Sequence, residues 1–323
     1  MQKPIIIASR RSPLAVAQAE AVRAMLGRAA GLPETAWADS FPLKTFVTIG
    51  DKNLQSSLAE VGGKGLFVKE IEMALLTGEA QVAVHSMKDM PAEMPKGLVQ
   101  AAVPKREDPR DAFVTLDGAG IETLPQGAKL GTSSIRRAAQ ILRRRPDLDV
   151  VPFRGNVQTR LEKLEAGVAA GTFLAEAGLR RLGRDDVRRL PIDPDVMLPA
   201  LGQGALCIQA RGDDEETLEL CRKISDPATE LASAVERAFV ARLDGSCRTP
   251  MAGLAEATGT KVRFRAEILH PDGQMFEAFD ETFEAEGTTP DDLILDALAK
   301  GGRAAEQLLS MASAELKAVI AGG

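Results

Sequence analysis

The chain has 323 residues, 45% of them hydrophobic and 27% charged, which predicts a soluble globular protein of two or three domains. Its net charge of −6, absence of tyrosine, single tryptophan and 4% aromatic content argue against nucleic acid as a partner, because bound strands need cations interleaved with stacking rings. Cys207, Cys221 and Cys247 lie far apart without metal-ligand spacing, so neither a disulfide framework nor a metal site is expected.

In chain order, residues 5–8 (Ile-Ile-Ile-Ala) read as a buried strand. Arg10, Arg11, Gln18 and Glu20 then interrupt any apolar run, so no signal peptide or membrane span is expected and the compartment expected is the cytoplasm. Pro13 opens a helix where its missing N–H costs nothing, with Leu14, Ala21, Val22, Met25 and Leu26 as the buried stripe. A second helix carries Phe67, Ile71, Ala74 and Leu75 and stops at Gly78, and residues 81–85 follow as a strand suited to a parallel sheet. The charged, proline-bearing stretch 104–111 reads as a crossing into a second domain. That domain is expected to hold a strand ending near Leu130, a helix from Ser134, a strand at Val150-Val151 and a helix over 157–166. Residues 198–205 cross back.

From Asp226 the pattern changes to a long helix ending near Leu243, an alternating strand through Val262, Phe264, Ala266 and Ile268, a turn at Pro271-Asp272-Gly273, a return strand over 275–283 and a helix over 290–312. The fold expected is α/β: two lobes around a hinged cleft, like periplasmic binding proteins, plus a smaller α+β C-terminal domain. Domain 1 spans 1–104 with 204–224, domain 2 spans 105–203 and domain 3 spans 225–323.

Between Lys105 and Leu190 there are 17 Lys and Arg against 12 Asp and Glu, and fourteen of those cations are arginine. Arginine forks grip carboxylates and phosphates bidentately, so domain 2 suggests a polyanionic ligand, with solvated helix faces as the simpler alternative. Three turns precede helices: Ala8-Ser9-Arg10-Arg11-Ser12, Val61-Gly62-Gly63-Lys64-Gly65 and Gly131-Thr132-Ser133-Ser134. Each offers backbone N–H groups to an anion, though singly each also reads as helix capping. Arg154, in the loop after a strand, and Arg160, six residues on in the first helical turn, can converge at the strand's carboxyl end, where open α/β sheets bind ligands. Asp89, in His85-Ser86-Met87-Lys88-Asp89, would repel anions; it suits a developing cation, or else pairs with Lys88 or caps a turn. Cys247, between Gly245-Ser246 and Arg248, fits a thiolate nucleophile or a half-buried loop residue.

Together these stretches, with Arg106-Glu107-Asp108-Pro109-Arg110-Asp111-Ala112-Phe113, Arg154-Gly155-Asn156-Val157 and residues 198–205, closely resemble the porphobilinogen deaminase family. The resemblance implies a transferase of porphyrin and haem biosynthesis that condenses four porphobilinogen molecules head to tail into hydroxymethylbilane, releasing ammonia. It also implies a dipyrromethane cofactor held by a thioether to Cys247. Asp89 falls on the catalytic aspartate, which stabilises positive charge on pyrrole nitrogens as ammonia leaves. Lys88, Ser133, Arg136 and Arg137 fall on cofactor-binding positions. Arg10, Arg154, Arg160, Arg181, Lys64, Phe67 and Gln203 fall on substrate-binding or hinge positions. The resemblance implies a monomer whose partner is porphobilinogen, with no nucleic acid and no membrane.

Two departures touch this pattern. Glu60 stands where many bacterial members have lysine, and Ala170-Gly171 stands where an Asp-Ala pair is usual; each puts one polar contact in question without touching Asp89 or Cys247. The rival readings are a two-lobed anion-binding protein without chemistry, which predicts a secretion signal and needs no thiol, and an RNA-binding protein, which the scarcity of aromatics disfavours.

Overall fold

The computed structural model describes residues 3–48, 68–243 and 249–321. They form two compact units, residues 1–107 with 205–230, and 108–204 with 231–323.

In the first unit, β1 (Ile7–Arg10) leads through Ser12 into α1 (Pro13–Ala29). The Ser12 hydroxyl accepts from Ala15 N at 3.3 Å and proline occupies the first turn, a favourable helix start. Then follow α2 (Trp37–Ser40), β2 (Leu43–Phe46), α3 (Lys69–Leu76), β3 (Val82–Ser86) and β4 (Leu98–Ala102), with β10 (Leu206–Arg211) and α7 (Glu215–Arg222) joining from later in the chain. The sheet order is β2-β1-β3-β10-β4; β1 is parallel to β2 and β3, while β10 is antiparallel to both its neighbours. Alternation along the strands builds two cores. Ile7, Val82, Val84 and Ile208 pack with Val22 and Leu26 of α1 and Leu218 of α7. Ala8 and Ala83 face Ile71, Ala74 and Leu75 of α3.

Three differences from the sequence reading matter. The first strand begins at Ile7 and runs to Arg10, because Arg10 stays in register with Phe46 of β2. The buried stripe of α1 is Ala15, Ala19, Val22 and Leu26, with Leu14, Ala21 and Met25 only half-buried. Two alanines let the helix lie close on the sheet, so the stripe turns toward them and the bulkier side chains move to its edges. Strand β10 was not read at all, though it is the inserted strand that completes the sheet.

In the second unit, β5 (Asp111–Val114), β6 (Lys129–Gly131), α4 (Ile135–Arg144), β7 (Asp149–Val151), α5 (Val157–Glu165), β8 (Gly171–Ala175), α6 (Glu176–Arg181) and β9 (Arg189–Pro191) form a sheet ordered β7-β6-β8-β5-β9. Strands β7, β6 and β8 are parallel, and β5 runs antiparallel to β8 and β9. The predicted helices from Ser134 and Val157 are present, capped by Ser134 and Asn156. The rest of this unit is α8 (Pro227–Arg242), an antiparallel sheet of β11 (Met251–Thr258), β12 (Lys261–Leu269) and β13 (Phe276–Glu284), then α9 (Pro290–Met311) and α10 (Ala314–Ala321). The alternating Val262, Phe264, Ala266 and Ile268 pack on Val235, Phe239, Ala304 and Leu308. Gly301, a poor helix residue, lies where any Cβ would press into Val235 O, so it sets the close approach of α9 to α8. Two sheet-and-helix lobes and a smaller α+β part are therefore present. No helix among the described residues is long and apolar enough to cross a membrane.

Candidate active site

In the first unit the parallel pair β1 and β3 brings Arg10 and the turn after His85 to the same carboxyl edge of the sheet, where ligands of such sheets bind. Met87–Asp89 form one turn of 3₁₀ helix. Met87 N donates to Ala205 O at 3.0 Å, Met90 N donates to Met87 O at 3.1 Å, and both methionine side chains sink into a cluster with Val68, Val103 and Cys207. The turn is thus anchored by two apolar side chains, leaving Lys88 exposed and Asp89 half-buried between them.

Behind that turn lies a group the sequence reading did not single out. His85 is buried, with Nε2 3.1 Å from Gln209 Oε1, and Gln209 Nε2 donates to Glu72 Oε1 at 3.2 Å. With the amide nitrogen donating to Glu72, its oxygen accepts, so the ring proton sits on Nε2. Burial pushes the His85 pKa down to about 4; the bond to Gln209 resists this, and the nearby charge of Arg10 adds to the fall. The ring is neutral at physiological pH. Its partner on β10 lies 124 residues away, so only the strand insertion reveals the network.

In the second unit, Arg136 and Arg137 open α4 and point inward rather than to solvent. Arg136 Nη2 donates to Asp111 Oδ2 at 2.8 Å and Arg137 Nη2 donates to Asp111 Oδ1 at 2.7 Å. Arg136 Nη1 also reaches Leu198 O (2.7 Å), and Arg137 Nη1 reaches Phe173 O (3.0 Å). Gln203, fully buried, donates to Asp111 Oδ1 (2.9 Å) and Pro109 O (2.8 Å). Burial opposes ionisation of Asp111, but the two guanidinium charges and the bonds from Arg137 and Gln203 outweigh it and hold the carboxyl well below the usual carboxylate range. Burial in turn pulls Arg136 below its ordinary value, with Asp111 pulling the other way. In the sequence Asp111 stands out only as part of a motif; an acid opening the apolar strand Asp-Ala-Phe-Val is the signal available for its role.

Arg160, in the first turns of α5, donates Nε to Gly155 O at 3.0 Å. Gly155 has φ +118°, and a Cβ there would meet Thr159 at 2.7 Å, so glycine is required for the loop to turn into the helix. Burial, then repulsion from Arg137, pushes Arg160 down to about 10. The Nε of Arg137 is buried without a hydrogen-bond partner among the described residues. Arg181 Nη2 donates to Gly204 O at 2.7 Å, and Ser133 Oγ accepts from Phe153 N at 2.8 Å, which leaves its hydroxyl proton available. Arg154 is half-buried, its carbonyl accepting from Lys163 Nζ at 3.0 Å. Lys64, Phe67 and Cys247, together with Glu60, lie outside the described residues.

Fold and side chains together define a mixed α/β protein with a buried arginine cluster in one unit and a carboxylate turn at a sheet edge in the other. Residues 5–219 match the family described as porphobilinogen deaminase, dipyrromethane cofactor binding domain, and residues 231–309 match the porphobilinogen deaminase C-terminal domain. The chain is 52% identical over 314 residues to the porphobilinogen deaminase of Paracoccus denitrificans (strain Pd 1222), covering 97% of this chain and 96% of that protein. It belongs to the porphobilinogen deaminase family. Among solved structures it is similar to the Bordetella pertussis BvgS VFT2 domain (TM-score 0.40, 14% identity, 69% of this chain and 85% of that one). It is also similar to a Legionella pneumophila arginine 3rd transport system periplasmic binding protein (TM-score 0.37, 14% identity, 69% and 91%).

Proposed function

We propose that this protein condenses four porphobilinogen molecules head to tail, with loss of ammonia at each step, to give hydroxymethylbilane on a dipyrromethane primer. The observation that carries the reading is the surplus of buried positive charge in the second unit. Arg136 and Arg137 both bond to one acid, Asp111, and Glu267 acts on Arg136 as well, while Arg160 is moved by burial and by Arg137 with no described acid offsetting either. Such a cluster is stabilised by an anion, and the orphaned Nε–H of Arg137 is a donor left for one. A chain of pyrroles bearing acetate and propionate groups supplies carboxylates of the required sign, so the residues present fit the cofactor.

In this reading Ser133, Arg136, Arg137 and Lys88 hold the carboxylates of dipyrromethane, whose attachment point is Cys247. When bound, dipyrromethane supplies the nucleophilic pyrrole carbon from which the chain grows. Arg10, Arg154, Arg160 and Arg181 hold the carboxylates of incoming units, with Lys64 and Phe67 as further contacts. Gln203 acts through Asp111, since its amide is bonded there. Asp89 sits at the end of an apolar-anchored turn, a fixed negative charge that stabilises the pyrrole nitrogens as positive charge develops, without having to reorient. The neutral His85 behind it adds no competing cation.

The reading carries with it three domains (1–104 with 204–224, 105–203 and 225–323), a monomer and a cytoplasmic setting. The test is the intact mass of the purified chain beside Cys247→Ser, followed by ammonia release from porphobilinogen. A wild-type excess of two linked pyrroles, absent from the variant, together with turnover, supports the reading. A bare mass that stays bare after incubation with porphobilinogen overturns it.

A further inference from the structure

Helix α4 carries Arg136 and Arg137 in its first turn, and its second half is gripped from the β12–β13 hairpin. Arg143 Nη1 donates to Glu267 Oε2 at 2.9 Å, and Glu267 is almost fully buried, its other oxygen without a partner among the described residues. The Arg143 guanidinium also lies 4.2 Å from the centroid of the Phe276 ring at the start of β13. At the hairpin tip Gly273 has φ +76°, and its N–H donates to His270 O at 2.9 Å. A Cβ on Gly273 would lie 2.7 Å from Arg143 N and closer still to Ala139 O, so the turn rests directly on the helix backbone.

These contacts come from independent features: an ion pair between half-buried Arg143 and buried Glu267, a ring, and a backbone-on-backbone approach that only glycine permits. They fall within one stretch of the helix, residues 139–143, while the ligand-facing arginines lie at 136 and 137. A helix this short moves as a body, so whatever fixes its second half fixes where the two guanidinium groups emerge. Their bonds to Asp111 at 2.7 and 2.8 Å tolerate little displacement. We infer that the β12–β13 hairpin, through Gly273 and Glu267, is a positioning element for the Arg136-Arg137 pair. It ties the C-terminal α+β part, whose chain also bears Cys247, to the cations that receive the ligand's carboxylates. Glu267, Gly273 and Arg143 are positioning residues; none needs to touch substrate. The inference rests on the condensation reading for its kinetic consequence, but its structural core does not.

The experiment therefore has one arm without turnover. In the full-length, ¹⁵N-labelled protein, exchange of the buried Arg136 and Arg137 Nε–H protons is followed by NMR in wild type and Gly273→Ala, against the backbone amides of β11 and β12. The clamp predicts roughly tenfold faster exchange of the arginine protons with the sheet amides unchanged. A global loss of stability moves both together and overturns it, as does unchanged exchange throughout. The second arm is kinetic: Gly273→Ala should slow the loading of dipyrromethane from porphobilinogen, followed by intact mass, roughly tenfold, and in an Arg136→Gln background it should add almost nothing. Additive effects overturn the coupling. Should Gly273→Ala fail to fold, Glu267→Gln adds no heavy atoms and keeps an acceptor for Arg143; it should move both readouts the same way, by about threefold. A chain with no bound dipyrromethane and no turnover would defeat the condensation reading alone, since the exchange arm still decides the clamp.

Discussion

The two units bury polar groups by opposite means. In the second, Asp111 is ionised and shared by Arg136 and Arg137, a charged solution in which each partner's desolvation is offset by its neighbour's field. In the first, His85, Gln209 and Glu72 form a hydrogen-bonded relay whose ring is kept uncharged. The contrast matches the chemistry expected at each place. A site for carboxylates needs fixed cations, and fixed cations need a buried counter-charge to hold them still. A turn that presents a single carboxylate to a developing cation gains nothing from a further cation behind it, and the neutral His85 ring adds none to the charge of Arg10.

The largest effect that would separate the two regions is on stability. Asp111→Asn should cost about 3–5 kcal/mol, because it leaves two buried guanidinium groups sharing no acid. Urea unfolding measures this, and a loss below about 1 kcal/mol would mean that solvent or another group compensates the arginines. Asp89→Asn should instead leave unfolding and cofactor mass unchanged while cutting turnover by about 10²–10³-fold, since shape is kept and charge removed. Near-normal turnover in that variant would end the cation-stabilising role.

The regions should also part company in acid. A histidine whose pKa falls from 6.5 unfolded to about 4 folded contributes in full above the unfolded value, and that contribution is lost as pH falls from 6.5 towards 4, because the unfolded state binds the proton first. The amount is about 3 kcal/mol over that window. Asp111, held below its ordinary value, keeps its contribution until the pH falls into the normal carboxylate range, and loses it from there down to its own lower value. Wild type should therefore lose stability between pH 6.5 and 4 and His85→Gln should lose less; parallel curves would show that His85 is not the sensitive group. The smallest effect expected is kinetic. Arg160→Gln should raise KM for porphobilinogen about tenfold without lowering the urea midpoint, because removing it relieves a buried repulsion with Arg137. A falling midpoint would make Arg160 a structural residue.

Much of this was readable in advance, and the reason is locality. Helix starts at Ser12, Ser134 and Asn156 are set by side chains that cap N–H groups three residues on, so their signal lies within one turn of chain. The alternation in β12 is likewise local, as is the positive φ of Gly78 and Gly155. The rotated stripe of α1 was missed because two alanines pack more closely than the larger residues beside them, a preference visible only once the sheet is in place. Strand β10 was missed because its hydrogen-bond partners, β3 and β4, lie more than a hundred residues earlier.

The candidate site divides along the same line. From residues alone came the arginines, Asp89, the motifs that contain them and, through those motifs, the family; each is a matter of side-chain identity and order along the chain. Tertiary structure decided what those side chains do with one another. It turned Arg136 and Arg137 inward onto Asp111, seated Gln203 beneath that acid, kept His85 neutral by burying it against the bond to Gln209, and set a glycine turn of the C-terminal sheet on the arginine helix. Charge and hydrogen-bonding capacity belong to the residue, but the partner that satisfies them is chosen by packing between segments far apart in the chain, where sequence spacing carries no distance.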